Sequence, residues 1–214
     1  MSNMARLKTK FYQQNTFKLA QALLGKYIVR KYNKITLIGK IVETEAYYGP
    51  HDLASHASRG RTPKTEIMFK QAGLAYIYLI YGMYYCFNIS TEKKDFPAAI
   101  LIRAVEPIAG INQMIRNRYL KNKKFNPLIT TYHLPLTKIA NGPGKFCQAF
   151  KIDKNLNSEN LITSKKLWLA KNSQEKIKSF QIIKTKRIGI DYAGKYKNKP
   201  WRFYLKNNTF VSKF

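Results

Sequence analysis

The chain has 214 residues, 45% of them hydrophobic and 14% aromatic, and its 39 Lys and Arg against 11 Asp and Glu give a formal charge of +28. Such hydrophobic content excludes a disordered polybasic tail, and the length suits one domain that buries on the order of 70% of its unfolded surface without disulfides or metal. No run approaches the roughly 18 apolar residues of a membrane span, and the opening Met1–Lys8 turns polar at once, so the expectation is a soluble, intracellular protein with no membrane partner.

Residues 1–15 read as a polar arm, of which 1–11 form a short basic lead-in to a single domain over 12–214. Thr16 stands as N-cap of a helix with Leu19, Ala20, Leu23 and Leu24 on one face and Gly25 to stop it. Tyr27–Lys31 and Ile35–Tyr48 predict two strands joined at Tyr32-Asn33-Lys34, the second ended by Gly49-Pro50. A polar loop over 51–67 holds His51, His56, Arg59 and Arg61. The aromatic and β-branched runs Leu74–Tyr81 and Met83–Ser90 flank Gly82 as a hairpin or sharp corner, and Ala98–Val105 predicts another buried strand. Glu106-Pro107 predicts the start of a helix carrying Ile108, Ile111, Met114 and Ile115. A Lys/Asn-rich loop runs to residue 140, and Asn141-Gly142-Pro143-Gly144 opens a short helix through Phe150. Arg187–Ile190 and Trp201–Leu205 alternate as strands do. The expected fold class is therefore α+β: a single domain with a curved, mainly antiparallel β-sheet and peripheral helices.

A field of this sign attracts anions, and nucleic acid is the default large anion. Only 9 of the 39 basic residues are Arg, in a chain rich in Asn and Ile, so part of the excess reflects an AT-rich coding bias. Distribution says more than the total. No acid precedes Glu43, and none lies between Glu106 and Asp153, a stretch holding Arg116, Arg118, Lys121, Lys123, Lys124, Lys138, Lys145 and Lys151. A surface facing a polyanion needs such acid-free segments. Charge alone does not separate a DNA enzyme from a ribosomal or nucleoid protein. The two cysteines, Cys86 and Cys147, lie far apart without a CxxC pair and read as buried free thiols; with three His they offer little to a metal.

Three features look chemical. In Ile41-Val42-Glu43-Thr44-Glu45-Ala46-Tyr47 the period of a strand puts Glu43, Glu45 and Tyr47 on one face. A carboxylate kept amid so many cations either neutralises a local cluster or works as a base. Arg103 sits inside the apolar run Ala99–Val105, where a guanidinium needs a carboxylate or phosphate partner, since an unpaired buried charge costs several kcal/mol. Tyr76, Tyr78, Tyr81, Tyr84, Tyr85 and Phe87 crowd around Gly82; part of this set is core, but a Tyr beside a corner glycine projects from the sheet and can wedge between stacked bases. Gly142-Pro143-Gly144-Lys145-Phe146 fails the spacing of a phosphate-binding loop.

These stretches together resemble the alkyladenine (3-methyladenine) DNA glycosylase family over roughly residues 12–212. The collinear blocks are Leu19–Gly25, Ile41–Tyr47, Tyr78–Asn88, Leu101–Pro107, Asn141–Ala149 and Pro200–Tyr204. The resemblance implies a monofunctional enzyme of base excision repair. It would take damaged purines from double-stranded DNA by hydrolysis, as a monomer, with no metal or other cofactor. It implies Glu45 as the general base that activates water and Arg103 as the residue orienting that water. Tyr47, His56 and Tyr78 match the walls around a flipped base, and Asn88 the amide that disfavours the 2-amino group of guanine. Tyr81 matches the side chain inserted into the gap in the duplex. Lys64-Thr65 departs from the usual Arg-Asn, and Phe69-Lys70-Gln71-Ala72-Gly73 replaces a Gly/Pro-rich link. No residue matches a lysine nucleophile, so a lyase activity through a Schiff base is not implied.

Overall fold

A computed structural model describes residues 4–119, 135–172, 178 and 181–213. Among the described residues nine strands, β1 (Met4–Arg6), β2 (Tyr27–Tyr32), β3 (Ile35–Tyr48), β4 (Ala75–Ile80), β5 (Tyr84–Ser90), β6 (Ala98–Ala109), β7 (Leu167–Asn172), β8 (Ile182–Thr185) and β9 (Arg202–Leu205), form one open sheet. The order is β1-β7-β2-β3-β6-β5-β4, with β9 joined to β3 and β8 to β9, every pair antiparallel. Four helices among the described residues, α1 (Thr9–Tyr12), α2 (Thr16–Ala22), α3 (Ile111–Tyr119) and α4 (Pro143–Ala149), complete the α+β class. None of them is long and apolar enough to cross a membrane.

The centre of the fold is β3. Its fourteen residues pair with β6 along one edge, while the other edge pairs first with β2 and then, over Glu43–Glu45, with β9. Strands bonded on both sides and covered on both faces read as near-continuous burial rather than alternation, and Ile41 to Ala46 are all buried. Helix α2 packs on this strand through Leu19 and Ala20, and the Thr44 hydroxyl donates to the Ala20 carbonyl at 3.0 Å. Cys86 and Cys147 are buried free thiols, as expected.

Four expectations need correction. The N-terminal arm is tied into the fold: β1 pairs with β7, and Leu7 and Tyr12 are buried. Three residues are too few to show a period in sequence. Asn15, not Thr16, caps α2, accepting from the Phe17 N–H at 3.0 Å; Thr16 is buried, and both its backbone N–H and its hydroxyl donate to the Glu92 carboxylate at 2.7 Å. Glu106-Pro107 does not open a helix. β6 runs through to Ala109, because Glu106 pairs with Lys40 at 3.3 Å and Pro107, which lacks a ladder N–H, falls where the register with Gly39 shifts. Helix α3 starts only after Gly110, whose φ of +77° and close approach to Leu37 and Thr36 admit no side chain. Finally, Arg187–Ile190 is a bent loop, drawn inward by its arginine. The Lys/Asn-rich segment falls mostly on 120–134, outside the described residues.

Candidate active site

The register between β3 and β6 slips twice at the middle of the sheet. Ile41 opposes Val105, Glu43 opposes Ala104 and Thr44 opposes Ile102, which leaves Val42 and Arg103 without a partner in register. Bulges of this kind re-aim side chains. Here Arg103 reaches both carboxylates of the neighbouring strand, with Nη1 3.2 Å from Glu45 Oε2 and Nε 3.3 Å from Glu43 Oε1. Glu45 Oε2 also accepts from the Tyr47 hydroxyl at 2.9 Å, and Oε1 accepts from the Ile188 N–H at 2.8 Å. The Glu45 side chain is fully buried, and its oxygens face three partners there, the Arg103 guanidinium, the Tyr47 hydroxyl and the Ile188 N–H. Burial works against the charge on Arg103, but Glu45 and Glu43 outweigh it and leave its pKa raised. The Tyr47 phenol is pushed well above its ordinary value by burial, then by Glu45, and so stays a neutral donor.

A second buried ion pair supports the first. Arg187 donates from Nη1 to Asp52 Oδ2 at 2.6 Å and from Nη2 to Asp52 Oδ1 at 2.8 Å, the two-pronged geometry suited to guanidinium and carboxylate. Its Nη1 also donates to the Ala46 carbonyl at 3.0 Å, and its cation lies over the rings of Tyr47 and Trp201 at 4.7 and 5.0 Å. The Asp52 carboxylate in turn accepts from the Tyr48 and Ala54 N–H groups. One ion pair thus fastens the loop bearing His56 and the loop bearing Ile188 to β3.

Between these loops and the β4–β5 hairpin lies a cleft of about 500 Å³. Tyr47, His56, Tyr78, Tyr81 and Arg103 line it, with Arg118 and Lys145 from the acid-poor stretch and Ile188 and Tyr192 from the opposite loop. Asn88 lies deeper, on a small recess it shares with Tyr47, His56, Tyr76 and Tyr78, and its Nδ2 donates to the Tyr76 carbonyl at 3.1 Å. Glu45 does not line the cleft itself; its partners Tyr47, Arg103 and Ile188 do, so the carboxylate stands one side chain behind the wall. The His56 ring packs edge-on against Tyr78 with centroids 4.5 Å apart, and its Nδ1 shares a 2.8 Å hydrogen bond with the Tyr76 hydroxyl. Burial, then Lys64 and Arg59, lowers the His56 pKa to about 4, so the imidazole facing the cleft is neutral at physiological pH. Burial likewise raises Tyr78, well above its usual value, and Cys86, to about 11.

At the mouth, Tyr81 is 79% exposed. It and Gly82 form the centre of a tight turn closed by a bond from the Met83 N–H to the Ile80 carbonyl at 3.1 Å, with φ of +53° and +66°. A two-residue turn with both φ positive matches the twist of a hairpin, and a tyrosine held there costs on the order of 1–3 kcal/mol. Met83, Leu79 and Tyr84 continue an exposed apolar tip.

Residues 10–209 match the family model for methylpurine-DNA glycosylase. The chain belongs to that family. Relatives named 3-methyladenine DNA glycosylases include one from Natranaerobius thermophilus, 46% identical over 97% of this chain and 98% of its own, and one from Clostridium perfringens strain SM101, 46% identical over 97% and 99%. A third, from Desulfitobacterium hafniense, is 45% identical over 98% and 99%. The protein is a monofunctional DNA glycosylase of base excision repair. In this glycosylase all seven residues singled out from the sequence converge, five on the cleft and Asn88 and Glu45 just beneath it. The structure also brings to this site residues that sequence reasoning did not find: Asp52, Arg187 and Ile188. Arg187 follows Lys184 and Lys186 in sequence and so looks like one more surface cation, and its partner Asp52 is 135 positions away. The Ile188 contact is made by backbone and leaves no trace in residue type.

Proposed function

We propose that the glycosylase flips alkylated or deaminated purines out of duplex DNA and hydrolyses the N-glycosidic bond with a water activated by Glu45, leaving an abasic site. The candidate bases are 3-methyladenine, 7-methylguanine, hypoxanthine and ethenoadenine. The observation that carries this reading is the buried Glu45–Arg103 pair, 3.2 Å apart, set directly behind a tyrosine-walled cleft. Each Glu45 oxygen has two acceptor positions; Tyr47 and Arg103 occupy those of Oε2, while Ile188 takes one on Oε1. The remaining position on Oε1 is the one assigned to the water, which Arg103 orients from the cleft side. The water oxygen bonds to the sugar C1′, the C1′–N9 bond breaks with its electrons passing to the base, and the water proton goes to Glu45. A negative charge beside a cationic, sugar-like transition state is the arrangement that glycoside hydrolysis uses.

Extrusion costs a few kcal/mol and least for damaged or weakly paired bases; Tyr81 fills the vacated space and offsets part of it. 3-Methyladenine and 7-methylguanine carry positive charge in the duplex, so the Tyr47 and Tyr78 rings attract them by roughly 0.5–2 kcal/mol each. The uncharged His56 adds no repulsion. Asn88, beneath the base, disfavours the 2-amino group of normal guanine. The protein works as a monomer in the cytoplasm, held on the nucleoid by its charge.

A panel of duplexes, each with a single lesion, tests this by scoring released base for wild type and Glu45→Gln. The expected result is release of at least the cationic lesions by wild type and none by the variant, which still binds the duplex. Excision by Glu45→Gln near the wild-type rate would remove Glu45 from the mechanism. Tight, salt-sensitive binding with no release by wild type would favour a silent damage-binding protein instead.

A further inference from the structure

Glu43 is one of only 11 acidic residues, yet it is fully buried and makes no contact with the cleft. Its Oε1 accepts from Arg202 Nη1 at 2.7 Å and faces Arg103 Nε at 3.3 Å, and its Oε2 accepts from the Ser212 N–H at 2.8 Å. The Arg103 Nε makes no hydrogen bond, so Glu43 acts on Arg103 through charge alone. Arg202 carries the connection further: its Nε donates to the Lys186 carbonyl at 3.1 Å and its Nη1 to the Lys213 carbonyl at 2.7 Å, while its cation lies 5.0 Å over the Tyr204 ring. Lys186 is two residues before Ile188, the backbone donor to Glu45.

We propose that Glu43 is a positioning residue of the reaction, a buried anion that sets Arg103 and, through Arg202, the 186–188 turn against Glu45. The proposal rests on the role given above to Glu45. Stability alone does not account for Glu43, since buried ion pairs are often no more stabilising than apolar packing of the same volume. Its position is informative on electrostatic grounds. Glu43 and Glu45 balance Arg103 and Arg202, two anions against two cations in one buried cluster. Removing Glu43 leaves a net positive charge behind the wall where positive charge develops on the sugar, and frees Arg103 to swing toward Glu45 alone. Both effects act on the transition state rather than on binding of the duplex.

The experiment compares wild type, Glu43→Gln, Glu43→Asp and Glu45→Gln on a 7-methylguanine duplex, using single-turnover rates across pH and affinity for a duplex with an abasic-site analogue. The groups facing Glu45 are Arg103 from β6, Tyr47 from its own strand, Tyr78 and Cys86 from β4 and β5, and Arg187 across the Tyr47 ring. Of these only the balance around Arg103 changes in Glu43→Gln, and a more positive surround favours the charged form of a carboxylate. The expected result is a rate lower by roughly 10- to 100-fold, unchanged affinity, and an acid limb moved to lower pH. Glu43→Asp, which keeps the charge, is expected to restore the acid limb and part of the rate. A wild-type rate in Glu43→Gln, or a loss matching only a smaller folded fraction with the acid limb unmoved, overturns the proposal. Should Glu43→Gln not fold, Glu43→Asp decides: a slower rate with wild-type affinity and acid limb supports the role, and a wild-type rate ends it. Failure of the underlying reading is separate, because it alone predicts loss of excision in Glu45→Gln.

Discussion

Tyr81 is a residue whose placement owes nothing to the stability of the fold. It is 79% exposed, contributes nothing to the core and sits at a φ of +53°, where a side chain is strained. Nothing in the fold rewards a tyrosine there; under the proposed function a duplex would, through the gap left by an extruded base. Tyr81→Ser is therefore expected to weaken binding to a duplex containing an abasic analogue by roughly 10-fold or more, given stacking worth about 1–3 kcal/mol per base. Unfolding free energy should move by less than about 0.5 kcal/mol. Fluorescence anisotropy and urea unfolding read the two quantities, and unaltered affinity would argue against insertion. Glu45, Arg103 and Glu43 are the opposite case, charged groups whose burial is costly and which meet only because the strand register slips beneath them.

Among elements, β3 does most of the assembly. It carries Glu43, Glu45 and Tyr47, and its two edges bring in Arg103 from β6 and Arg202 from β9. The loops that wall the cleft have little regular structure of their own and depend on the Asp52–Arg187 pair, whose side chains are both fully excluded from solvent. Arg187→Met takes the ion-pair partner from the buried Asp52 carboxylate, so it should destabilise the fold by about 3–5 kcal/mol, measured by urea unfolding. The double variant Asp52→Asn with Arg187→Met is expected to recover part of that loss, because the stranded charge is gone. A single variant within about 0.5 kcal/mol of wild type would show that the loops are held by packing around Trp201 instead.

At the scale of the whole molecule, +28 charges matter only where they face the substrate. Arg118 and Lys145 open onto the cleft, while Lys64 and Arg59 lie close enough to His56 to lower its pKa. If these cations and a few neighbours meet phosphates, the affinity for undamaged duplex should fall with salt at a log–log slope of roughly −4 to −6, near −0.9 per phosphate contact. Anisotropy titrations between 50 and 200 mM salt, the range over which such contacts show, give this slope; a value near −1 would mean that the charge is spread without direction.

The local periods of the chain determined the hairpin around Gly82, the long strand over 35–48, the α+β class, and the company of Glu43, Glu45 and Tyr47 on one face. These depend on neighbours within a few residues, and residue type reports such neighbours directly. Only the tertiary structure decided that β6 continues through Pro107, that Arg187 turns inward to Asp52, that an Ile188 backbone N–H holds Glu45, and that Arg103 lies between two carboxylates. Each of those contacts joins positions far apart in sequence, where a bulge or an ion pair outweighs local preference. The free energy of burying a charge depends on the partner that arrives from elsewhere in the chain.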